Sequence, residues 1–150
     1  MKRVKDYGLN PSNKKKPKST VNPDSYLGQH PTWTFHRCDI SHDKWSIRKC
    51  ESIYEKIIDK LISYEGQTWM EIISATGGKS SGTRSHFINV SDLEKEAQKR
   101  IDQLHLHIDQ VLSLRLDART RLFGVMDNGT MDILWYDPDH EICKSSKKHS

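Results

Sequence analysis

The stretch Leu112–Ile142 constrains the fold of this chain more than any other part. Leu112-Ser113-Leu114-Arg115-Leu116 alternates apolar and polar residues at the period of a half-buried strand. Asp117-Ala118 reads as a turn, and Arg119 to Val125 as a second strand. Asp127-Asn128-Gly129 follows, and Asn-Gly supplies the positive φ angles of a tight hairpin. Thr130 to Tyr136 returns as a third strand, and Asp137-Pro138-Asp139 ends it. The sequence therefore predicts a three-stranded antiparallel meander.

Upstream, the pattern changes period. Thr32–Arg37 is rich in strand formers and reads as an N-terminal strand. Ser46 is placed to cap a long helix, because Ile47, Cys50, Ile53, Tyr54, Ile57, Ile58 and Leu61 recur at three- and four-residue steps. Gly66 closes that helix. Thr68-Trp69-Met70-Glu71 is a capping box opening a short second helix. Ser85–Val90 reads as extended. Ser91 with Glu94 looks like another capping box, before a helix with Leu93, Ala97, Ile101 and Leu104 on one face. The expected fold class is α+β: an antiparallel sheet made of the N-terminal strand plus the meander, with helices packed on one face.

Charge and composition divide the chain. Residues 1–20 hold seven basic residues and one acid, and the last seven add Lys144, Lys147 and Lys148. With a total of +4, residues 21–143 are left at −5. This predicts a disordered basic N-terminal arm (1–30), a single α+β domain (31–143) and a basic C-terminal tail (144–150). Lys14, Lys15, Lys16 and Lys18 in the arm are candidate nucleic-acid contacts; a solvated tail is the alternative. No apolar run is long enough to span a bilayer and no apolar stretch follows the basic N-terminus, so a cytoplasmic location is expected. Cys38, Cys50 and Cys143 are widely spaced and suggest neither a disulfide framework nor a zinc knuckle.

Candidate chemistry gathers in four places. Arginine on a central strand needs solvent or a partner. Arg119 and Arg121 should share a face, and with Arg115 they could grip a phosphate by bidentate hydrogen bonds. An ion pair with Asp132 or Asp117 is the alternative. Tyr136-Asp137-Pro138-Asp139-His140-Glu141 supplies a phenol, an imidazole and three carboxylates just past a strand end, with His140 suited to acid–base work. A polar turn is the plainer reading. His86 follows the glycine-rich loop 76–82, whose spacing is not that of a P-loop. His105 and His107 are expected on one side of an extended segment, but a third ligand is not specified, so no metal site is assigned and no cofactor is called for.

The segment "LSLRLDARTRLFGVMDNGTMDILWYDPDHEI", with the helical first half and the strand before it, resembles the RelE/ParE-like toxin superfamily. Its close, "WYDPDHEIC", is similar to small uncharacterised proteins of phages and mobile elements. The resemblance implies a metal-independent endonuclease that cleaves messenger RNA, often on the ribosome, and is held in check by an antitoxin protein. It implies Arg115 and Arg121 as phosphate holders, His140 as general acid or base, Tyr136 as a stacking or proton-donating group and His86 as an auxiliary. The carboxylates of Asp137, Asp139 and Glu141 depart from that pattern. The alternative is a non-catalytic accessory protein of a mobile element that binds nucleic acid or protein.

Overall fold

The computed structural model describes residues 25–75 and 84–144. The arm lysines, the glycine-rich loop and most of the C-terminal tail lie outside the described residues.

The meander forms as its pattern dictates. Strands β3 (Gln110–Arg115), β4 (Arg121–Asp127) and β5 (Thr130–Asp137) pair antiparallel in sequence order. Asn128 at φ 54° and Gly129 at φ 98° make the β4–β5 hairpin. Two further strands flank the meander. β1 (Thr32–Thr34) joins the β5 edge and β2 (His86–Asn89) joins the β3 edge, giving the order β1-β5-β4-β3-β2.

The sheet is mixed, not purely antiparallel. β1 runs parallel to β5, with Thr32 opposite Thr130 and Thr34 opposite Asp132. Strand-forming residues fix that a segment is extended, but its direction depends on how the chain returns to the edge. Here the side chains reinforce the parallel register. The hydroxyls of Thr32 and Thr130 bond at 2.6 Å, and Arg37 pairs with Asp132 at 3.0 Å.

Helices cover both faces of the sheet, which corrects the one-faced expectation. α1 (Asp59–Glu65) and α2 (Trp69–Ser74) bury Leu61, Trp69 and Ile72 with Leu112, Leu114, Leu122, Met131 and Ile133. On the opposite face, α3 (Lys95–Gln103) buries Ala97 and Ile101 with Val111, Phe123, Leu134 and Trp135. The physical reason is visible in β3, where residues pointing to both faces (Val111 and Leu112, then Ser113 and Leu114) are fully or almost fully buried. A strand apolar on both sides needs two covers.

A bulge tunes this arrangement. The β4–β5 register shifts at Phe123/Gly124, so Phe123 faces Trp135 while Gly124 faces Ile133. Leu134 is the extra residue, and Leu134 and Trp135 both enter the second core. A Cβ on Gly124 would collide with the carbonyl oxygen of Asp132 and with the Met131 side chain, so the bulge requires glycine.

The region read as one long helix from Ser46 is broken. Ser46 does cap, accepting from the Arg48 amide at 3.1 Å, but the 3₁₀ turn it caps ends at Lys49. Cys50 is extended, and the chain re-enters a π-helical turn (Tyr54–Ile58) that leads into α1. The capping box at Thr68 and Glu71 forms in full. The expected one at Ser91 and Glu94 does not: Ser91 lies in a 3₁₀ turn and Glu94 itself is the N-cap of α3. Ser25–Gly28, expected in the disordered arm, is a 3₁₀ turn that buries Tyr26. His105 is not extended; it has φ 57° just past α3. Among the described residues, no helix is long and apolar enough to cross a membrane.

Candidate functional site

One end of the sheet gathers the chemistry. β3 ends there, β4 begins there, β5 ends there and β2 begins there. Arg115, Arg121 and Asp137 are Cα partners across three adjacent strands, and His86 is registered opposite Ser113. Strand alternation sets all four on the α3 side of the sheet, beside Phe123 and Trp135.

Arg121 is the buried centre of this row, only 1% exposed. Its guanidinium donates to the carbonyl oxygens of Asp117 at 2.7 Å and Thr120 at 3.0 Å. Burial and the neighbouring charge of Arg115 lower its pKa, yet a guanidinium keeps its proton. The turn before it is longer than the Asp117-Ala118 reading. Leu116 and Asp117 both donate to the Thr120 carbonyl, while the Asp117 carboxylate accepts from the amides of Arg119 and Thr120. Arg119 therefore sits in a turn, not on a strand beside Arg121. It is exposed and paired with Asp139 at 3.0 Å. The two-guanidinium face expected from Arg119 and Arg121 does not form. Nor does an Arg121–Asp132 pair, since Asp132 lies against Arg37.

His140 is brought to the same end by a folded turn. The Asp137 carboxylate accepts from the amides of Glu141 at 3.0 Å and Ile142 at 2.9 Å. This closes the turn, with His140 half-buried at φ 60°. Burial raises the Asp137 pKa, against the pull of those amides and of His140. His86 donates from Nδ1 to the Arg84 carbonyl oxygen at 2.8 Å. A carbonyl only accepts, so Nδ1 carries the proton and Nε2 holds the lone pair. Burial lowers the His86 pKa, and the charges of Arg84, Arg121 and His140 act in the same direction. His86 is thus a neutral imidazole within the electrostatic reach of a second imidazole and two guanidiniums.

Tyr136 does not belong to this group. It points to the opposite face, is 4% exposed and packs in the α1/α2 core. Burial and a hydrogen bond with Cys50 hold its phenol well above the usual range. The arm lysines Lys14, Lys15, Lys16 and Lys18 lie outside the described residues. The structure thus brings together Arg115, Arg121, His86 and His140, sets Arg119 at the rim and excludes Tyr136.

A second polar group escapes sequence reasoning altogether. Asp39, 4% exposed, receives two parallel hydrogen bonds from Arg100, at 2.8 and 2.7 Å, and one from Trp135 Nε1 at 2.9 Å. Burial pushes the Asp39 carboxyl up, but the Arg100 and Trp135 bonds outweigh it and hold it below the usual range. Nearby, His42 stacks on Trp45 at 4.3 Å and accepts at Nδ1 from the amides of Lys44 and Trp45. All the acceptor atoms in this group serve neighbours within the fold. It ties the 39–46 loop, α3 and β5 together, and nothing at the sequence level links Asp39 to Arg100 across 61 positions. Arg84, which sits beside His86, was equally invisible, because it follows the glycine-rich loop with no periodic pattern around it.

Comparison with protein-family models, with curated proteins and with solved structures found no match to this chain.

Proposed function

We propose that this protein is a metal-independent RNA endonuclease of the RelE-like kind, neutralised in its natural setting by a partner protein. The observation that supports the reading is the meeting of two imidazoles, His86 and His140, with the buried guanidinium of Arg121 from three separate parts of the chain. A 2′-hydroxyl loses its proton to His86 Nε2 as its oxygen bonds to the adjacent phosphorus. The bond from phosphorus to the 5′-oxygen breaks, and His140 protonates that leaving oxygen. Arg115 and Arg121 stabilise the charge that grows on the phosphate. The products are a 2′,3′-cyclic phosphate and a 5′-hydroxyl. His86, not His140, is the base in this reading, because its tautomer leaves the Nε2 lone pair unprotonated.

The test is incubation of the purified full chain with mixed-sequence RNA oligonucleotides in the presence of a chelator. Cleavage should yield cyclic-phosphate ends and fail where the attacking 2′-hydroxyl is removed. His86→Ala and His140→Ala should each slow it by roughly 10²–10⁴-fold. Intact RNA throughout, or full activity in both variants, overturns the proposal.

A further inference from the structure

A cavity of about 100 Å³ opens between the two helices of the first face and the joined ends of β2 and β3. That is well above the roughly 10–15 Å³ a single water needs. Tyr64, Gln67, Ile72, Ala75, Arg84 and Arg115 line it, with no carboxylate among the described lining residues.

The decisive atom is Arg84 Nε. It is buried, and it has no hydrogen-bond partner among the described residues. A buried donor of a charged group left unpaired is costly, so such an atom points to a missing acceptor. The backbone around Arg84 is held firmly. The Ser85 hydroxyl accepts from the Arg115 amide at 2.8 Å, and His86 Nδ1 bonds the Arg84 carbonyl oxygen. Tyr64 donates to the Arg115 carbonyl oxygen, fixing the wall opposite.

We propose that this cavity is a binding subsite for a phosphate-type oxyanion. Arg84, just before β2, and Gln67, between α1 and α2, line it from separate parts of the chain, so one oxyanion with several oxygens can bridge them. The direct link from Arg84 to His86 identifies a source. If the ribonuclease reading holds, on which this assignment of source rests, the occupant is the RNA backbone phosphate next to the one being cleaved. A free phosphate group would use the same donors.

The experiment titrates inorganic phosphate into the full chain while the Arg84 Nε–H resonance is followed by NMR. Phosphate should shift that resonance saturably. Arg84→Gln should weaken phosphate binding, measured calorimetrically, by about tenfold or more. Ala75→Phe should abolish it by closing the mouth while leaving every charge in place, so the result does not depend on one variant folding. His140→Ala should leave it unchanged. An unmoved Nε–H resonance, or unaltered affinity in both cavity variants, overturns the subsite. A second arm compares RNA with one phosphate and RNA with an added flanking phosphate. A lower KM for the longer substrate that Arg84→Gln erases supports the RNA source. Phosphate binding without that preference overturns the RNA source alone, and phosphate binding without any cleavage overturns only the ribonuclease reading.

Discussion

His42 shows how one side chain can be both structural and pH-sensitive. Its Nδ1 accepts two amide hydrogens, at 3.0 and 3.1 Å, and can do so only while unprotonated. Burial is the main cause that lowers its pKa below the ordinary 6.5, with Arg100 adding to the effect and Asp39, Glu96 and Asp43 opposing it. His86 shifts the same way for the same main reason. A histidine whose folded pKa lies below its unfolded value binds fewer protons when folded. The stability it contributes is complete above the unfolded pKa and is lost as pH falls from about 6.5 towards the folded value. Unfolding free energy should therefore drop between pH 7 and pH 5, as measured by urea denaturation at each pH. His42→Asn, whose amide oxygen can still accept, should flatten that slope; an unchanged slope in this variant would remove His42 as its source. Asp39 acts in a separate, more acidic window, because its lowered pKa makes its contribution disappear only below the usual carboxylate range.

At the scale of elements, local signals succeeded where the partner lies a few residues away. The Thr68 capping box is such a case. The Glu71 amide donates to Thr68 Oγ1 at 3.2 Å, and the Thr68 amide donates to the Glu71 carboxylate at 2.8 Å. Thr68→Ala should cost about 1 kcal/mol in urea denaturation, and Thr68→Ser should recover most of it. Equal loss in both variants would mean that the hydroxyl is not what matters. The Asn128-Gly129 hairpin was legible for the same reason. The sequence points to one helix from Ser46 and the fold breaks it, because steps of three residues suit a 3₁₀ turn as well as an α-helix, and the extended Cys50 is set by tertiary packing in the first core. The apparent cap at Ser91 failed because Val90 donates its amide to Asp109, which binds the segment to the β2–β3 ladder before the helix starts. The turn runs two residues further than the sequence pattern suggests, so β4 starts at Arg121 and the Arg119 guanidinium lies at the rim, paired with Asp139.

At the scale of the molecule, the missing information was the number of layers. Alternation in β3 looked like one buried face, yet Ser113 and Arg115 read as polar while Ser113 is 2% exposed. Serine hides easily beneath a helix, so a polar letter did not mark a solvent face. The consequence is two cores separated by a single sheet, one holding Trp69 and the other Trp45 and Trp135. Neither is independent, because every central strand supplies side chains to both. Leu114→Ala in the first core and Ile101→Ala in the second should each cost about 2–5 kcal/mol. More tellingly, each should lower the unfolding midpoint of the entire body. In chains retaining only Trp69 or only Trp135, fluorescence should follow the same transition as circular dichroism. Separate midpoints would show that the faces melt apart. A shared midpoint ties the cationic end of the sheet to both cores: Arg121 lies on the α3 side, whereas the wall of the Arg84 cavity includes Ile72 of the first core. A mutation on either face would then disturb the site only through global stability, leaving the chemistry of His86 and His140 intact in whatever fraction stays folded.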